Sequence, residues 1–505
     1  MDNDASAIAE SWLQSFGAFL QSGDLAGATS CFAPHGYLRD VLIFTWNNRT
    51  LVGHSQITTY LNDTLDRVSI TEAKLDTREH LAPSFGHVTP MAFGVSSGFT
   101  FETAVGHGEG HFSLVQNEDC EWKAIVVSVM LADIRGHEES GPEKGVYGGH
   151  TLAWHDVHRE RSEAIERDPH VLIIGAGQTG LNVGARFRQM NIPSLIIETT
   201  ARVGDMLYQS FPDNWPTYTP RDKLADWLEQ YAISQDLVIW TNSRALPTPT
   251  WNPVLKRWSL TSFIAAGALG VPLLPVIQDA TSFRGDIIHA AAYDGGKNFA
   301  GKRVMVVGAG NSSADICQDL AFHGASEVTM LQRSSTCVIS VETTARLLSR
   351  LWPAHRTMWA QEKETHKGLR EAGLSLTMGK DGSGQYPMIF ERFGGLDVGA
   401  ADLIRSGKIK IKHGVEIERF TGTSAIFTDG SSIALDVVIF ATGYRNELIN
   451  QTSTVWGVDE EGELNGCYRP SGHPGFWYAA GDFPVSRFYS KQFGELLIKV
   501  SLFAL

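Results

Sequence analysis

Three glycines follow an apolar run at a spacing that lets backbone approach a phosphate. The stretch VLIIGAGQTG, residues 171–180, contains Gly175, Gly177 and Gly180. The first glycine permits a tight turn, the second a close approach to a pyrophosphate, and the third close packing of helix on strand. The next apolar strand, SLIIE, ends at Glu198, where a carboxylate can accept a hydrogen bond from a ribose. Because strand, glycines, helix and acid occur together, we favour a dinucleotide site over a fortuitous glycine turn.

A second glycine-rich turn follows later in the chain. The stretch RVMVVGAGNSSADI places Gly308, Gly310 and Ser313 in the glycine positions. Its next strand, EVTMLQRSS, ends in Arg333 and Ser334 rather than in an acid. An arginine can clamp the 2′-phosphate of NADPH, which an acid would repel, so this turn predicts NADPH rather than NADH. The alternative for Arg333 is a solvated surface arginine.

Two dinucleotide-binding turns in one chain indicate two dinucleotides. The acid at the end of the first fold suits FAD, and the arginine at the end of the second suits NADPH. Hydride would pass between the two cofactors. The sequence therefore predicts a flavin redox enzyme in which the cofactors carry the chemistry.

Three motifs outside the turns carry a resemblance to a known family. They are SFRGDIIHAAAY with Phe283, Gly285, His289 and Tyr293, DVVIFATGYRN with Ala441, Thr442 and Gly443, and WYAAGDF with Gly481 and Asp482. From about residue 145 onward, the chain resembles the flavin-containing monooxygenase superfamily, most closely its fungal and plant YUCCA-type members. The first part resembles the SnoaL-like domain that related fungal monooxygenases carry as an N-terminal extension.

The resemblance implies a monooxygenase that uses FAD, NADPH and O2 to place one oxygen atom on a small organic metabolite, in fungal secondary metabolism. Oxidation at nitrogen or sulfur, decarboxylative oxidation of a 2-oxo acid and Baeyer–Villiger insertion share these motifs, so the substrate stays open. The cofactor-binding residues indicated by motif and resemblance together are Gly175, Ala176, Gly177, Gln178, Thr179, Gly180, Glu198, Gly204, Asp205, Met206, Gly308, Gly310, Ser313, Arg333, Ser334, Ala441, Thr442, Gly443, Gly481 and Asp482.

Three residues are candidates for the reaction itself. Asn311 and Ser312 begin the helix after the second turn and could touch nicotinamide or activated oxygen, although ordinary N-capping explains them equally well. His289 either moves a proton or is a satisfied structural histidine at the crossing between the nucleotide domains. The alternating side chains of GHGEGHF share one strand face, but without a further ligand in view we expect a polar sheet face and no metal.

The elements that must position these residues divide the chain into five parts. Helical spacing followed by strand-like runs predicts an α+β cone over 1–140, and alternating charges predict a linker over 141–169. Apolar runs that alternate with glycine-opened helices predict α/β, Rossmann-like folds with parallel sheets. We expect an FAD-binding domain over 170–295, an NADPH-binding domain over 296–420, and a return to the FAD sheet over 421–505.

The composition is that of an ordinary globular protein. With 43% apolar and 19% charged residues and a formal charge of −14, the 505-residue chain is unsuited to nucleic acid or an anionic membrane surface. Glycines and prolines break the uncharged stretch 258–278, so we expect no membrane span. Five widely spaced cysteines and the lack of a signal peptide predict free thiols and a cytoplasmic location. A homodimer is compatible with these features.

Two departures from the family pattern bear on activity. After Gly204 and Asp205 the family has a loop and strand that cross the flavin, whereas here MLYQS leads directly into FPDNWPTYTP. The hairpin before Phe263 is also shortened. The alternatives are therefore an uncoupled NADPH oxidase or flavin reductase, and an inactive truncated paralogue whose cone serves as a binding or dimerisation module. The cone itself could be a lid, a dimer interface or a second catalytic module.

We predict that this chain binds FAD weakly and releases much of the consumed oxygen as hydrogen peroxide, because a monooxygenase must shield its activated oxygen from water. The measurement is peroxide formed per NADPH oxidised, together with the flavin content of the purified protein. Insertion of a family-length segment after Asp205 should raise flavin content and coupling together. Stoichiometric FAD with tight coupling in the unaltered chain would contradict the prediction.

Overall fold

The computed structural model divides into two compact units, Met1–Ala268 with Leu448–Leu505 and Leu269–Glu447. The first unit contains the N-terminal domain and the first glycine turn, and the second contains the second glycine turn. The structure describes residues 4–89, 92–140, 143, 145–146, 151, 153–199, 203, 221–243, 250–259, 271–340, 362–378, 393–397, 399–445, 459–473, 475–481 and 483–503.

The N-terminal domain packs helices on one mixed sheet, in agreement with the expected α+β pattern. The helices are α1 (Ala5–Ser22), α2 (Leu25–Ser30) and α3 (Gly53–Thr64), and the strands are β1 (Phe32–Val41), β2 (Asn48–Val52), β3 (Thr71–Leu75), β4 (Ser84–Thr89), β5 (Ala92–Glu102), β6 (Gly106–Gln116) and β7 (Trp122–Ile134). The strand order is β2-β1-β7-β6-β5-β3, with β4 paired to β5. Strand β1 runs parallel to β7, while β5, β6 and β7 are antiparallel neighbours. The buried face of α1 meets the sheet through Trp12, whose ring lies 4.6 Å from that of Phe112.

The first glycine turn lies in a parallel βα fold. Its elements are α4 (Trp154–Arg167), β8 (Val171–Ile174), α5 (Gln178–Gln189), β9 (Ser194–Ile197), α6 (Arg221–Ser234) and β10 (Val238–Trp240), and a hairpin of β11 (Thr250–Asn252) and β12 (Arg257–Ser259) follows. The three parallel strands take the order β10-β9-β8. The C-terminal helix (Phe483–Phe503) lies against α5, where the rings of Phe187 and Phe493 are 5.6 Å apart.

One hydrophobic core runs through the N-terminal domain and the first glycine-turn fold. Phe187 of α5, Met190 at its end and Phe493 of the C-terminal helix belong to the same buried cluster as Trp12 and Phe112. Since apolar burial is the main favourable term in folding, this shared core stabilises the two parts against each other.

The second unit is built on a parallel sheet. Its elements are β13 (Val271–Pro272), β14 (Asp286–His289), β15 (Arg303–Val307), α7 (Asn311–Phe322), β16 (Glu327–Gln332), β17 (Cys337–Ser340), α8 (Lys363–Glu371), β18 (Phe393–Asp397), α9 (Ala400–Arg405), β19 (Ile409–His413), β20 (Ile417–Phe420), β21 (Ser424–Phe427), β22 (Ser432–Ala434), β23 (Val437–Phe440) and β24 (Tyr444–Arg445). The main sheet has the order β14-β23-β15-β16-β19. All four of its pairings are parallel, so the carboxyl ends of these strands share one edge.

Strand β23 lies in the sheet of the second glycine turn. It is hydrogen-bonded between β14 and β15, with every one of its residues buried. We expected the chain from 421 onward to return to the first fold through this strand, so its position differs from that expectation. The continuous apolar run Val437–Phe440 fits any fully buried parallel strand, and the run itself does not specify its neighbours. The division into domains as a whole stays a prediction.

The composition predicted free thiols and no membrane span, and the structure bears on both expectations. All five cysteines are free, and four of them are buried. None of the described helices is long and apolar enough to cross a membrane. The uncharged stretch 258–278 is described only over 258–259 and 271–278.

Candidate cofactor sites

The first glycine turn has the backbone that a dinucleotide phosphate needs. Gly175 has a φ of 103°, a conformation that side chains strongly disfavour. A Cβ atom on Gly180 would lie 1.9 Å from the Gly175 carbonyl oxygen, so helix α5 can start this close to the turn only with glycine there. Among the described residues, no side chain caps α5, whose N-cap is Gly177. A helix start without a side-chain cap is the kind of end at which backbone N–H groups can bind an anion.

Glu198 stands beside this turn, as the sequence predicts. The backbone N–H of Ala176 donates to Oε2 of Glu198 at 2.8 Å, and the backbone N–H of Glu198 donates to the Trp240 carbonyl at 2.8 Å. These bonds fix the carboxylate at the carboxyl end of β9, next to the glycines. A ribose that follows the phosphates would meet it there.

The segment that contains Gly481 also reaches the first turn. The Gln178 side-chain amide donates to the Gly481 carbonyl oxygen. The hydroxyls of Thr179 and Ser486 are 3.0 Å apart, within hydrogen-bonding distance. The structure thus brings together the early glycines, Gln178, Thr179 and Gly481. Gly204, Asp205, Met206 and Asp482 lie outside the described residues.

The second glycine turn has a similar construction. Gly308 has a φ of 130°, and a Cβ there would lie 2.5 Å from the Ala441 carbonyl oxygen and 2.9 Å from the Ser313 hydroxyl oxygen. A Cβ on Gly310 would meet nothing within 4 Å, so the space in front of helix α7 is open. Gly310 is the N-cap of α7, and no described side chain caps that helix. Asn311 and Ser312 are exposed in its first turn.

The residues Ala441, Thr442 and Gly443 directly follow β23, and Ala441 lies against the second turn. The backbone N–H of Ala441 donates to the Val307 carbonyl at 2.9 Å, which continues the pairing of β23 with β15. The Thr442 hydroxyl donates to the Leu273 carbonyl oxygen. In the structure these three residues support the second turn, a placement that the sequence motif alone did not specify.

Arg333 and Ser334 follow β16 at the carboxyl edge of the second sheet, and both are exposed. The Arg333 guanidinium is 64% exposed, and its Nη1 lies 3.6 Å from Oε1 of Glu416. The next buried side chain, Thr336, donates from its hydroxyl to the Ala309 carbonyl at 3.1 Å and ties this loop to the glycine turn. Sequence reasoning missed Glu416 and Thr336, because nothing in the local pattern links them to the turn.

The side chains of the motif SFRGDIIHAAAY pack and hydrogen-bond within the second fold. Phe283 is buried, and a Cβ on Gly285 would lie 2.2 Å from the Asp436 carbonyl oxygen. The Tyr293 hydroxyl donates to Oδ2 of Asp319, near the end of α7, at 2.6 Å. Each of these positions therefore fits a packing or hydrogen-bonding role around the second glycine turn.

His289 uses both ring nitrogens within the second unit. Its Nδ1 accepts the backbone N–H of Ala291 at 3.1 Å, and its Nε2 lies 2.9 Å from the Gly443 carbonyl oxygen. Since Nδ1 is an acceptor, Nε2 must carry the proton and donate to Gly443. This geometry is that of a satisfied structural histidine, one of the two roles that the sequence left open.

The side chains of GHGEGHF make local ion pairs. The Nδ1 of His107 lies 2.6 Å from Oε1 of Glu102, and Glu109 accepts from the guanidinium of Arg78 at 2.8 Å. The burial of His111 lowers the pKa of its imidazole. No group of three ligating side chains suited to a metal occurs among the described residues.

The residues present fit the two dinucleotides. Each turn joins a parallel strand to a helix start without a side-chain cap, and a Cβ on Gly175 or Gly310 would meet nothing within 4 Å. An acid, Glu198, ends the second strand of the first fold, and Arg333 follows the corresponding strand of the second. These donor sets match FAD at the first turn and NADPH at the second.

The chain is similar to known flavin-dependent monooxygenases. A family model described as flavin-binding monooxygenase-like matches residues 261–455. The indole-3-pyruvate monooxygenase YUCCA8 of Oryza sativa subsp. indica is 30% identical over 362 residues, which cover 61% of this chain and 82% of that protein. The probable indole-3-pyruvate monooxygenase YUCCA8 of Arabidopsis thaliana is 28% identical, over 55% of this chain and 75% of that protein. A solved flavin-containing monooxygenase from Stenotrophomonas maltophilia aligns with a TM-score of 0.42 at 18% identity, over 66% of this chain and 98% of that one.

We predict that Gly177→Val abolishes FAD binding while the fold persists, because a branched side chain would enter the path of the phosphates. The measurement is flavin absorbance per protein, with circular dichroism to report the fold. Gly86→Val, on strand β4, is the matched control, since a Cβ there meets nothing within 4 Å and its FAD content should not change. Full flavin content in Gly177→Val would show that FAD binds elsewhere.

Proposed function

Because this chain belongs to the flavin-binding monooxygenase-like family and is a flavin-dependent monooxygenase that uses NADPH and O2, we propose that it oxygenates a small organic metabolite. The observation that carries the proposal is the contrast between the two turns. Glu198 stands at the first turn and Arg333 at the second, so the chain distinguishes FAD from NADPH by charge. When bound, FAD supplies hydride acceptance and the activation of O2.

The protein's own residues would bind and orient the two cofactors. In our proposal the N–H groups at the start of α5 receive the FAD phosphates, and Glu198 accepts the ribose hydroxyls. The start of α7 receives the NADPH phosphates, and Arg333 with Ser334 receives the 2′-phosphate. Ala441, Thr442 and Gly443 would act by shaping the backbone beside Gly308.

The three candidate catalytic residues have unequal support. Asn311 and Ser312 are exposed where the nicotinamide arm of a dinucleotide could pass, so we keep them as contacts to the reacting groups. We assign His289 a positioning role, because its bonds to Ala291 and Gly443 occupy both ring nitrogens. The histidine would thereby hold the segment 441–443 in place beside the second turn.

The substrate and setting form the finer part of the proposal. The rice relative is named for indole-3-pyruvate, so a 2-oxo acid with an aromatic side chain is the first substrate to test. Oxidation at nitrogen or sulfur and Baeyer–Villiger insertion are the other candidate reactions. We further propose a SnoaL-like N-terminal domain, supported by its helices on a mixed sheet, and a cytoplasmic enzyme of fungal secondary metabolism.

The short segment after Asp205 favours one alternative, an NADPH oxidase that releases peroxide. The decisive experiment records the absorption spectrum of the purified protein and then follows NADPH, peroxide and product with and without indole-3-pyruvate. We expect a flavin spectrum and faster NADPH oxidation when substrate is present. A flavin spectrum with substrate-independent peroxide would indicate the oxidase, and a folded protein that takes up no FAD when FAD is added would contradict both activities.

We predict that Arg333→Ala weakens NADP⁺ binding far more than NAD⁺ binding, because only NADP⁺ carries the 2′-phosphate. Loss of one charge-assisted contact costs about 1.5–3 kcal/mol, which corresponds to roughly a ten- to hundredfold rise in Kd. Isothermal titration calorimetry with both coenzymes measures the difference. Arg284→Ala is the matched control, since Arg284 is exposed just before β14, at the opposite edge of the same sheet. Equal losses for both coenzymes would show that Arg333 does not contact the 2′-phosphate.

A further inference from the structure

Two ion pairs fasten the N-terminal domain to the segment that precedes Gly481. The Arg39 guanidinium makes a bidentate pair with Glu463. Its Nε donates to Oε1 at 2.9 Å, and its Nη2 donates to Oε2 at 3.0 Å. The Arg49 Nε lies 2.9 Å from Oε2 of Glu461. The Glu463 side chain is only 4% exposed, so it meets Arg39 largely shielded from water. Bidentate pairs of this kind fix orientation as well as contact.

Strand β2 adds neutral donors to both carboxylates. The Thr50 hydroxyl donates to Oε1 of Glu463 at 2.7 Å, and the Thr50 backbone N–H donates to Oε2 of Glu461 at 3.0 Å. Arg469 donates to the Asn47 side chain at 2.7 Å, from the other side of the contact. The N-terminal domain therefore holds this segment at several points along one strand end.

The contact continues from Arg39 toward the first glycine turn. The Nη2 of Arg39 also donates to the Tyr489 hydroxyl at 2.9 Å. The Tyr489 ring stacks on that of the fully buried Tyr468, with centroids 5.3 Å apart and an interplanar angle of 15°. The backbone N–H of Tyr468 donates to the Tyr478 carbonyl at 2.8 Å. Tyr478 lies three residues before Gly481, whose carbonyl accepts from Gln178 at the turn.

We propose that the N-terminal domain is an internal brace that positions the segment 459–481 against the first dinucleotide turn, with Arg39 and Glu463 as the positioning residues. The proposal rests on the assignment of FAD to that turn. Removal of Arg39 would leave the Glu463 carboxylate buried without its charge partner, which is more costly than removal of both charges. The segment would then shift away, and the position of Gly481 would be lost with it.

The test measures FAD affinity of the flavin-stripped full chain by the quenching of flavin fluorescence, in Arg39→Ala, Glu463→Gln and the double variant. We expect Arg39→Ala to raise the Kd for FAD roughly tenfold, as for the loss of a strong charged hydrogen bond. The double variant should bind FAD at least as well as Arg39→Ala, because no buried charge is left unpaired. The Kd for NADP⁺ should stay unchanged in all three variants.

Lys74→Ala is the matched control. Lys74 pairs with Glu72 at 2.8 Å in the same domain, but both side chains are more than 60% exposed, so FAD affinity should not change. The brace proposal is contradicted if Arg39→Ala binds FAD as tightly as the parent chain does. It is also contradicted if the losses of FAD affinity in the two single variants simply add in the double variant, or if affinity for NADP⁺ falls in parallel. A parent chain that takes up no FAD overturns the assignment of the first turn and the brace together, whereas the other outcomes leave that assignment standing.

Discussion

A backbone can approach a phosphate only where no side chain stands between them, and this constraint governs both turns. At the first turn, a Cβ on Gly180 would lie 1.9 Å from a carbonyl oxygen, and at the second a Cβ on Gly308 would lie 2.5 Å from another. The glycines bring each helix start to the carboxyl edge of its sheet, where N–H groups and the helix dipole favour an anion. In the function we propose, Glu198 contacts the ribose of the first ligand and Arg333 contacts the 2′-phosphate of the second.

The N-terminal domain satisfies a different requirement, the support of the first fold. Apolar side chains of α1 and of the C-terminal helix share one core, and partly buried ion pairs add direction to that contact. A hydrophobic contact is tolerant of small rotations, whereas a bidentate arginine–carboxylate pair is not. The combination suits a domain that must hold a neighbouring segment at a defined position.

The sequence predicted local features well and distant pairings poorly. The strand, glycine turn and helix around Gly177 follow from backbone conformation and apolar periodicity, which a short stretch of sequence contains. The strand Val437–Phe440 was expected in the first sheet and lies in the second, because a buried apolar run fits either. Arg39 and Glu463 are separated by 424 residues, and no local pattern shows that they meet. Long-range partners of this kind require the three-dimensional structure.

The discontinuity of the first unit has a consequence for the order of synthesis. Its core includes Phe187 and Phe493, yet the whole of Leu269–Glu447 is translated between them. Until the helix Phe483–Phe503 emerges from the ribosome, the apolar face of α5 lacks its partner and is open to wrong contacts. The inserted unit has its own parallel sheet and its own buried clusters, so it can collapse while the earlier unit waits. The core of the first unit therefore cannot be completed before the inserted unit has been synthesised.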